Sequence, residues 1–207
     1  MPSVASPSAA ASAPARAALH PRAALYGTRA RPRALPVCDH YAGSERFLRK
    51  ALALQTATAI DGRARFDITA DCEDGAPLGG ERDHARLIGA IAASADNRCG
   101  RLGVRIHDLG SPHWRADLEH ILPVAGGRLA YVVVPKLQAV AELDAVAALI
   151  DQLFPGALLP LHALIETHAA LREVQAIAAH PRVECLSFGL MDFVSAHGGA
   201  IGPEALT

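Results

Sequence analysis

Beyond about residue 33 the chain alternates between two hydrophobic patterns. Short, nearly continuous apolar runs at 34–37, 66–71, 102–106, 130–134, 158–165 and 183–188 predict buried strands, the second being the least apolar. Between them, stretches of helical period cover 44–58, 80–93, 116–122, 140–153 and 167–179. In the fourth of these, Leu143, Val146, Ala147 and Ile150 form one apolar stripe. Ser44 and Thr167 stand where a hydroxyl caps a helix start.

The strand starts are spaced by about 25–36 residues, the length of one βα unit. Six such units with apolar strands predict a parallel sheet covered by helices. An open doubly wound sheet and a TIM-type (β/α)8 barrel both fit this alternation. No GxGxxG follows the first strand and no GxxxxGK[ST] occurs, so nothing supports a nucleotide-binding sheet. A barrel places chemistry at the C-terminal ends of strands. Polar residues fall there: Glu73 and Asp74 after strand two, Arg105 and His107 at strand three, Lys136 after strand four, Glu166 at strand five and Asp192 after strand six. Alternation in LHALIE puts His162, Leu164 and Glu166 on one face, with Leu161, Ala163 and Ile165 on the other. The apolar face suits the helix layer, which turns Glu166 into the barrel mouth. The same phase groups Arg105 with Gly103, opposite Leu102, Val104 and Ile106.

Composition narrows the classes. Lys and Arg total 20 against 21 Asp and Glu, a net charge of −1 that argues against a nucleic-acid binder. No apolar run reaches the roughly 18–20 residues that span a bilayer. The four cysteines, Cys38, Cys72, Cys99 and Cys185, form no CxxC pair, which fits buried thiols in a reducing cytoplasm. Residues 1–32 read as a separate Ala-, Pro-, Ser- and Arg-rich disordered leader, with an organellar targeting peptide as the functional alternative. Residues 33–207 then hold six βα units, whereas a closed barrel needs eight and about 250 residues. The chain therefore reads as an incomplete barrel, either a truncated product or a fragment completed by a partner.

Glu166 and Asp192 are the candidate metal ligands, because a hard cation such as Mg²⁺ takes one or two carboxylates and leaves its other positions to water and substrate. Arg105 offers a permanent planar charge for a carboxylate or a developing enolate. Glu73 and Asp74 are candidates for orienting Arg105, holding metal-bound water or moving a proton. His107 and Lys136 are candidate substrate-binding residues. His162 reads as a packed interior histidine, and His113, His120, His168, His180 and His197 read as surface or capping residues.

These segments resemble the HpcH/HpaI aldolase and citrate lyase beta-chain family, with the CitE-like lyases nearest in pattern. ALIET at 163–167 and FGLMD at 188–192 match the two segments whose Glu and Asp ligate Mg²⁺ in that family. DCEDGAP at 71–77 is similar to D-L-E-D-A-V, and VRIHDLGSPHWRADL at 104–118 to V-R-V-N-G-L with its following T-P and A-D-L. VVVPKLQ at 132–138 is similar to V-L-P-K-V-E, and RALPVCDHYAGSERFLRKAL at 33–52 to R-S-x-L-F-V-P with R-F-x-x-K-A. The resemblance implies a Mg²⁺-dependent lyase, with Mn²⁺ as a substitute, that cleaves a 3-hydroxyacyl thioester such as malyl-, citramalyl- or citryl-CoA. It also implies a homo-oligomer, a trimer or hexamer. Three departures stand out: His107 replaces an Asn, Gln138 replaces a Glu, and CDHYAGSER lacks the P-G-x-R-P-E-R loop. Arg46, Arg49 and Lys50 remain as basic candidates beside that loop. The alternatives are a pyruvate-releasing 4-hydroxy-2-keto acid aldolase and a non-catalytic assembly partner.

Overall fold

The computed structural model describes residues 35–156 and 158–206. The expected leader lies outside the described residues, apart from its boundary near residue 33. Six strands form among the described residues: β1 (Asp39–Ala42), β2 (Asp67–Asp71), β3 (Leu102–Arg105), β4 (Val132–Val134), β5 (Leu161–Ile165) and β6 (Val183–Phe188). The helices between them are α1 (Glu45–Thr58), α2 (Glu81–Ala93), α3 (Trp114–Ala125), α4 (Ala141–Leu153), α5 (His168–Arg172), α6 (Val174–Ala179) and α7 (Leu190–Ala196).

All pairings are parallel, and the order is β1-β2-β3-β4-β5-β6. A doubly wound sheet reverses direction at a switch point, so this sequential order selects the barrel. The sheet is an arc of a (β/α)8-type barrel, with six of its βα units present.

Two expectations shift. The apolar run at 34–37 is not the first strand: Pro36 has no N–H for a ladder, and Val37 is fully exposed. The strand is instead DHYA, selected by its register against β2, with Asp39 opposite Asp67 and Tyr41 opposite Thr69. The predicted helix at 167–179 divides at Glu173, whose carboxylate accepts the Val140 N–H at 2.8 Å. The helix starts are as expected. Ser44 Oγ accepts the Phe47 N–H and Thr167 Oγ1 accepts the Ala170 N–H.

Alternation divides the sheet into two unlike faces. Ile68, Ala70, Leu102, Val104, Val132, Val134, Leu161, Ala163 and Ile165 pack outward into one large core with Leu48, Leu52, Ile88, Leu118, Leu122, Leu143, Val146 and Ile150 of the helices. Cys72 is buried in that same layer. The inward face has a small apolar cluster, Tyr131, Val133 and Leu164, set among polar groups. Asp67 and Arg101 pair there through two contacts of 2.6 Å. Tyr131 stacks on His162 at 3.8 Å, and its hydroxyl meets Thr69 at 2.9 Å. His162 is thus a packed interior residue, 3.3 Å from Glu184.

Gly103 makes this packing possible. A Cβ there would lie 2.1 Å from the Tyr131 ring, which His162 and Thr69 hold from the far side. Gly103→Ala should therefore cost about 1–3 kcal/mol of unfolding free energy, the range for overpacking a filled core, as read by urea denaturation.

Candidate active site

The mouth of the arc is organised around charged side chains at the C-terminal ends of β2–β5. Arg105 ends β3 directly opposite Asp71 in the ladder. Its Nε donates to Asp71 Oδ1 at 2.8 Å and its Nη2 to Asp71 Oδ2 at 2.7 Å, a planar two-point pair. Nη2 also donates to Asp74 at 2.6 Å, and Nη1 lies 2.8 Å from Glu73 Oε2. The Arg105 guanidinium lies 5.2 Å from the Tyr41 ring centroid. Burial opposes the charge on Arg105, and the surrounding carboxylates outweigh it, holding its pKa above the ordinary value.

Glu73 is buried in the turn after β2. Lys136 Nζ donates to its Oε1 at 2.8 Å, while Oε2 makes no hydrogen bond despite its closeness to Arg105. Burial pushes the Glu73 carboxyl above the usual range, against the pull of Lys136 and Arg105. Lys136 adopts a left-handed backbone, φ 48°, a conformation that costs a side-chain-bearing residue about 1–3 kcal/mol. In that conformation its main-chain N–H donates to Glu166 Oε1 at 2.7 Å.

Glu166 follows β5 and is 2% exposed. Its carboxylate lies against Gly189, where a Cβ would come within 2.1 Å of Oε2. Any side chain at 189 would displace the carboxylate, which explains the Gly of FGLMD. Asp192 lies half-buried in the first turn of α7. Glu166, Asp192, Arg105 and Tyr41 line one cavity of about 400 Å³. Burial raises the Glu166 pKa, and the charges of Asp192 and Glu73 add to the rise, opposed by the Lys136 N–H.

His107 is held by α3. Asp117 Oδ2 accepts the His107 main-chain N–H and meets its Nδ1, each at 2.8 Å. The mouth thus brings Arg105, Glu73, Asp74 and Lys136 into direct contact and lines Arg105, Glu166 and Asp192 on one cavity. His107 sits to the side on its own partner.

Two residues with important roles were not singled out from sequence. Asp71 is the main partner of Arg105, and period-two alternation in DITAD carried the signal, because it turns Asp67, Thr69 and Asp71 inward together. Asp117 had only a weak signal, an acid in the first turn of a helix.

Two carboxylates on one cavity wall, raised in pKa by burial and mutual repulsion, are a donor set that a hard divalent cation fits. Among the described residues, no group of three or more His, Cys, Asp or Glu side chains is arranged to hold a metal. The pair alone suits an ion that keeps other positions for water or ligand oxygens.

A six-unit arc of a (β/α)8-type barrel, acidic and basic at its strand C-termini, defines the structural class. The model of the HpcH/HpaI aldolase/citrate lyase family matches residues 55–205, and the chain belongs to that family. Among its relatives, an L-malyl-CoA/beta-methylmalyl-CoA lyase of Cereibacter sphaeroides is 35% identical over 137 residues, 63% of this chain and 43% of the relative. A (3S)-malyl-CoA thioesterase of the same organism is 33% identical over 158 residues, 76% of this chain and 51% of the relative. A solved citrate lyase from Burkholderia xenovorans LB400 is 47% identical with a TM-score of 0.76, covering 84% of this chain and 54% of that one. The citrate lyase beta subunit of Mycobacterium tuberculosis, solved with oxaloacetate and magnesium, shares the fold at 22% identity and a TM-score of 0.62, covering 82% of this chain and 65% of that one. The chain spans about half the length of the curated relatives it matches.

The raised Glu166 pKa sets a pH-dependent cost. Below the ordinary value of 4.5 the carboxyl is neutral in both folded and unfolded chains; as pH rises through its elevated folded value, ionisation inside the protein removes stability. Glu166→Gln should therefore raise the thermal midpoint in metal-free buffer at pH 7, with the gain shrinking as the pH falls to 4.5. Calorimetric melts across that range check it.

Proposed function

We propose that this chain carries the site of a Mg²⁺-assisted carbon–carbon lyase that acts on a 3-hydroxyacyl thioester of the malyl-, citramalyl- or citryl-CoA type. Glu166, Asp192 and Arg105 on one cavity wall are the observation that supports this most directly. The malyl-CoA lyase and citrate lyase relatives support the same reaction class.

In this reading Glu166 and Asp192 hold the ion. When bound, Mg²⁺ supplies Lewis-acid polarisation of the oxygens of the 2-keto acid. The chain's own groups do the rest. Asp71 and Asp74 engage Nε and Nη2 of Arg105, so Nη1 is the nitrogen that meets an incoming oxygen, next to Glu73. A fixed donor at that point stabilises negative charge as the carbon–carbon bond breaks. Glu73 takes the hydroxyl proton, for which its raised pKa suits it. Lys136 holds Glu73 through Nζ and Glu166 through its N–H, and so keeps proton acceptor and metal ligand in register. Asp74, whose side chain is largely exposed, orients Arg105 from the solvent side.

The pyruvate-releasing aldolase remains a second reading on one observation. Arg49, a basic candidate for carrier contact, is paired with Glu45 and Asp96.

Assays of the full chain with malyl-CoA, citramalyl-CoA and a 4-hydroxy-2-keto acid separate these readings. Lyase action releases a 2-keto acid and an acyl-CoA; thioester hydrolysis releases free CoA. Arg105→Lys should lower kcat/KM by about 10²–10³, the usual loss for one oxyanion donor. Calorimetry should show Mg²⁺ binding that is lost in the Glu166→Gln, Asp192→Asn double variant. Unchanged binding in that variant would overturn the ligand assignment.

A further inference from the structure

His107 occupies the inward phase of β3, two residues beyond Arg105, and is 9% exposed. Asp117, on α3 and 1% exposed, takes both its main-chain N–H and its Nδ1 side. A buried carboxylate at Nδ1 fixes the ring orientation and leaves Nε2 as the nitrogen that meets a ligand. The charged and titratable groups around the ring come from three elements. Asp117 and His113 belong to α3 and its first turn, with the His113 ring 5.3 Å away. Glu73 lies in the turn after β2, and Glu81 lies on α2. Three carboxylates thus face one imidazole. The hydrogen bond from Asp117 raises its pKa above the ordinary 6.5, and burial opposes the rise. The related motif has Asn at this position, a donor of fixed neutral charge, so His107 adds a charge that depends on pH.

We propose that Asp117 is a positioning residue that presents His107 Nε2–H, as a second cation beside Arg105, to a carboxylate oxygen of the short keto acid. This rests on the lyase reading above and specifies how that site selects its keto acid. The sign of the effect follows from the charge. The imidazolium is present below its raised pKa and lost above it, so carboxylate binding weakens as pH rises through that value. Linkage requires the converse, that a bound carboxylate raises the His107 pKa further.

The test titrates the His107 ring by NMR in the full chain with Mg²⁺ present, with and without pyruvate, alongside calorimetric pyruvate binding across the same pH range. The His107 inflection should lie above 6.5 and move upward with pyruvate, and pyruvate should bind roughly tenfold more weakly above the inflection for each unit it moves. His107→Asn should remove that pH dependence and keep the fold. Asp117→Asn should lower the inflection, which a merely structural role would not require. If pyruvate binds but leaves the His107 titration unmoved, or if His107→Asn keeps the pH dependence, the proposal is overturned and the lyase reading stands. If pyruvate binds at no pH, the lyase reading fails and the proposal fails with it.

Discussion

A guanidinium cannot shed its proton inside a protein, so placing Arg105 in the barrel mouth demands compensating carboxylates. Asp71, directly across the ladder, supplies the two-point partner. Glu73 and Asp74, two and three residues further on, close around the remaining nitrogens. The rest of the mouth follows. Glu73 turns its other oxygen to Lys136 Nζ, and the left-handed backbone of Lys136 brings its N–H to Glu166. One unbroken chain of contacts therefore runs from Arg105 through Glu73 and Lys136 to Glu166, linking the ends of β3, β2, β4 and β5. Removing one member leaves a buried charge exposed to its like-charged neighbours, which is more damaging than losing a surface pair.

A second ion pair stands one layer deeper. Asp67 and Arg101 repeat the pattern of Asp71 and Arg105, four residues earlier on the same two strands. The Thr69, Tyr131 and His162 layer fills the space between, over the missing side chain of Gly103. Buried pairs contribute little net stability once desolvation is counted. They do fix register. A one-residue slip of β3 would turn both arginines into the apolar helix layer and expose Leu102 and Val104 to the acids of β2.

Much of this was legible because strand faces have period two and the helix layer is apolar. The LHALIE alternation alone oriented Glu166, and the same phase oriented Arg105. What escaped depends on partners distant in sequence. DHYA carries no apolar run, and its strand character comes from pairing with β2. Asp71 was visible as an acid, but its role needed the register that sets it opposite Arg105. Asp117 was invisible in the same way, since α3 alone does not reveal that it reaches back to His107. The bend at Glu173 serves the Val140 N–H, a contact 33 residues away that no local propensity encodes.

The site is unevenly supported. Arg105, Glu73 and Glu166 stand at the ends of strands whose residues are all buried, so helices on one side and packed side chains on the other limit their movement. Tyr41 and Asp192 belong to the two margins of the arc, where β1 and β6 are largely exposed and Phe188 is 55% exposed. The cavity therefore has a rigid wall and two softer flanks. On the lyase reading, Glu166 is the ligand held in place before an ion arrives, and Asp192 is the one that ion binding orders. That division accounts for two features at once. Glu166 carries the raised pKa and the close fit against Gly189, because burial and constraint are imposed on it by the fold. Asp192, in the first turn of a short helix after an edge strand, is free of both, so its position at the cavity depends on how well β6 and α7 are held.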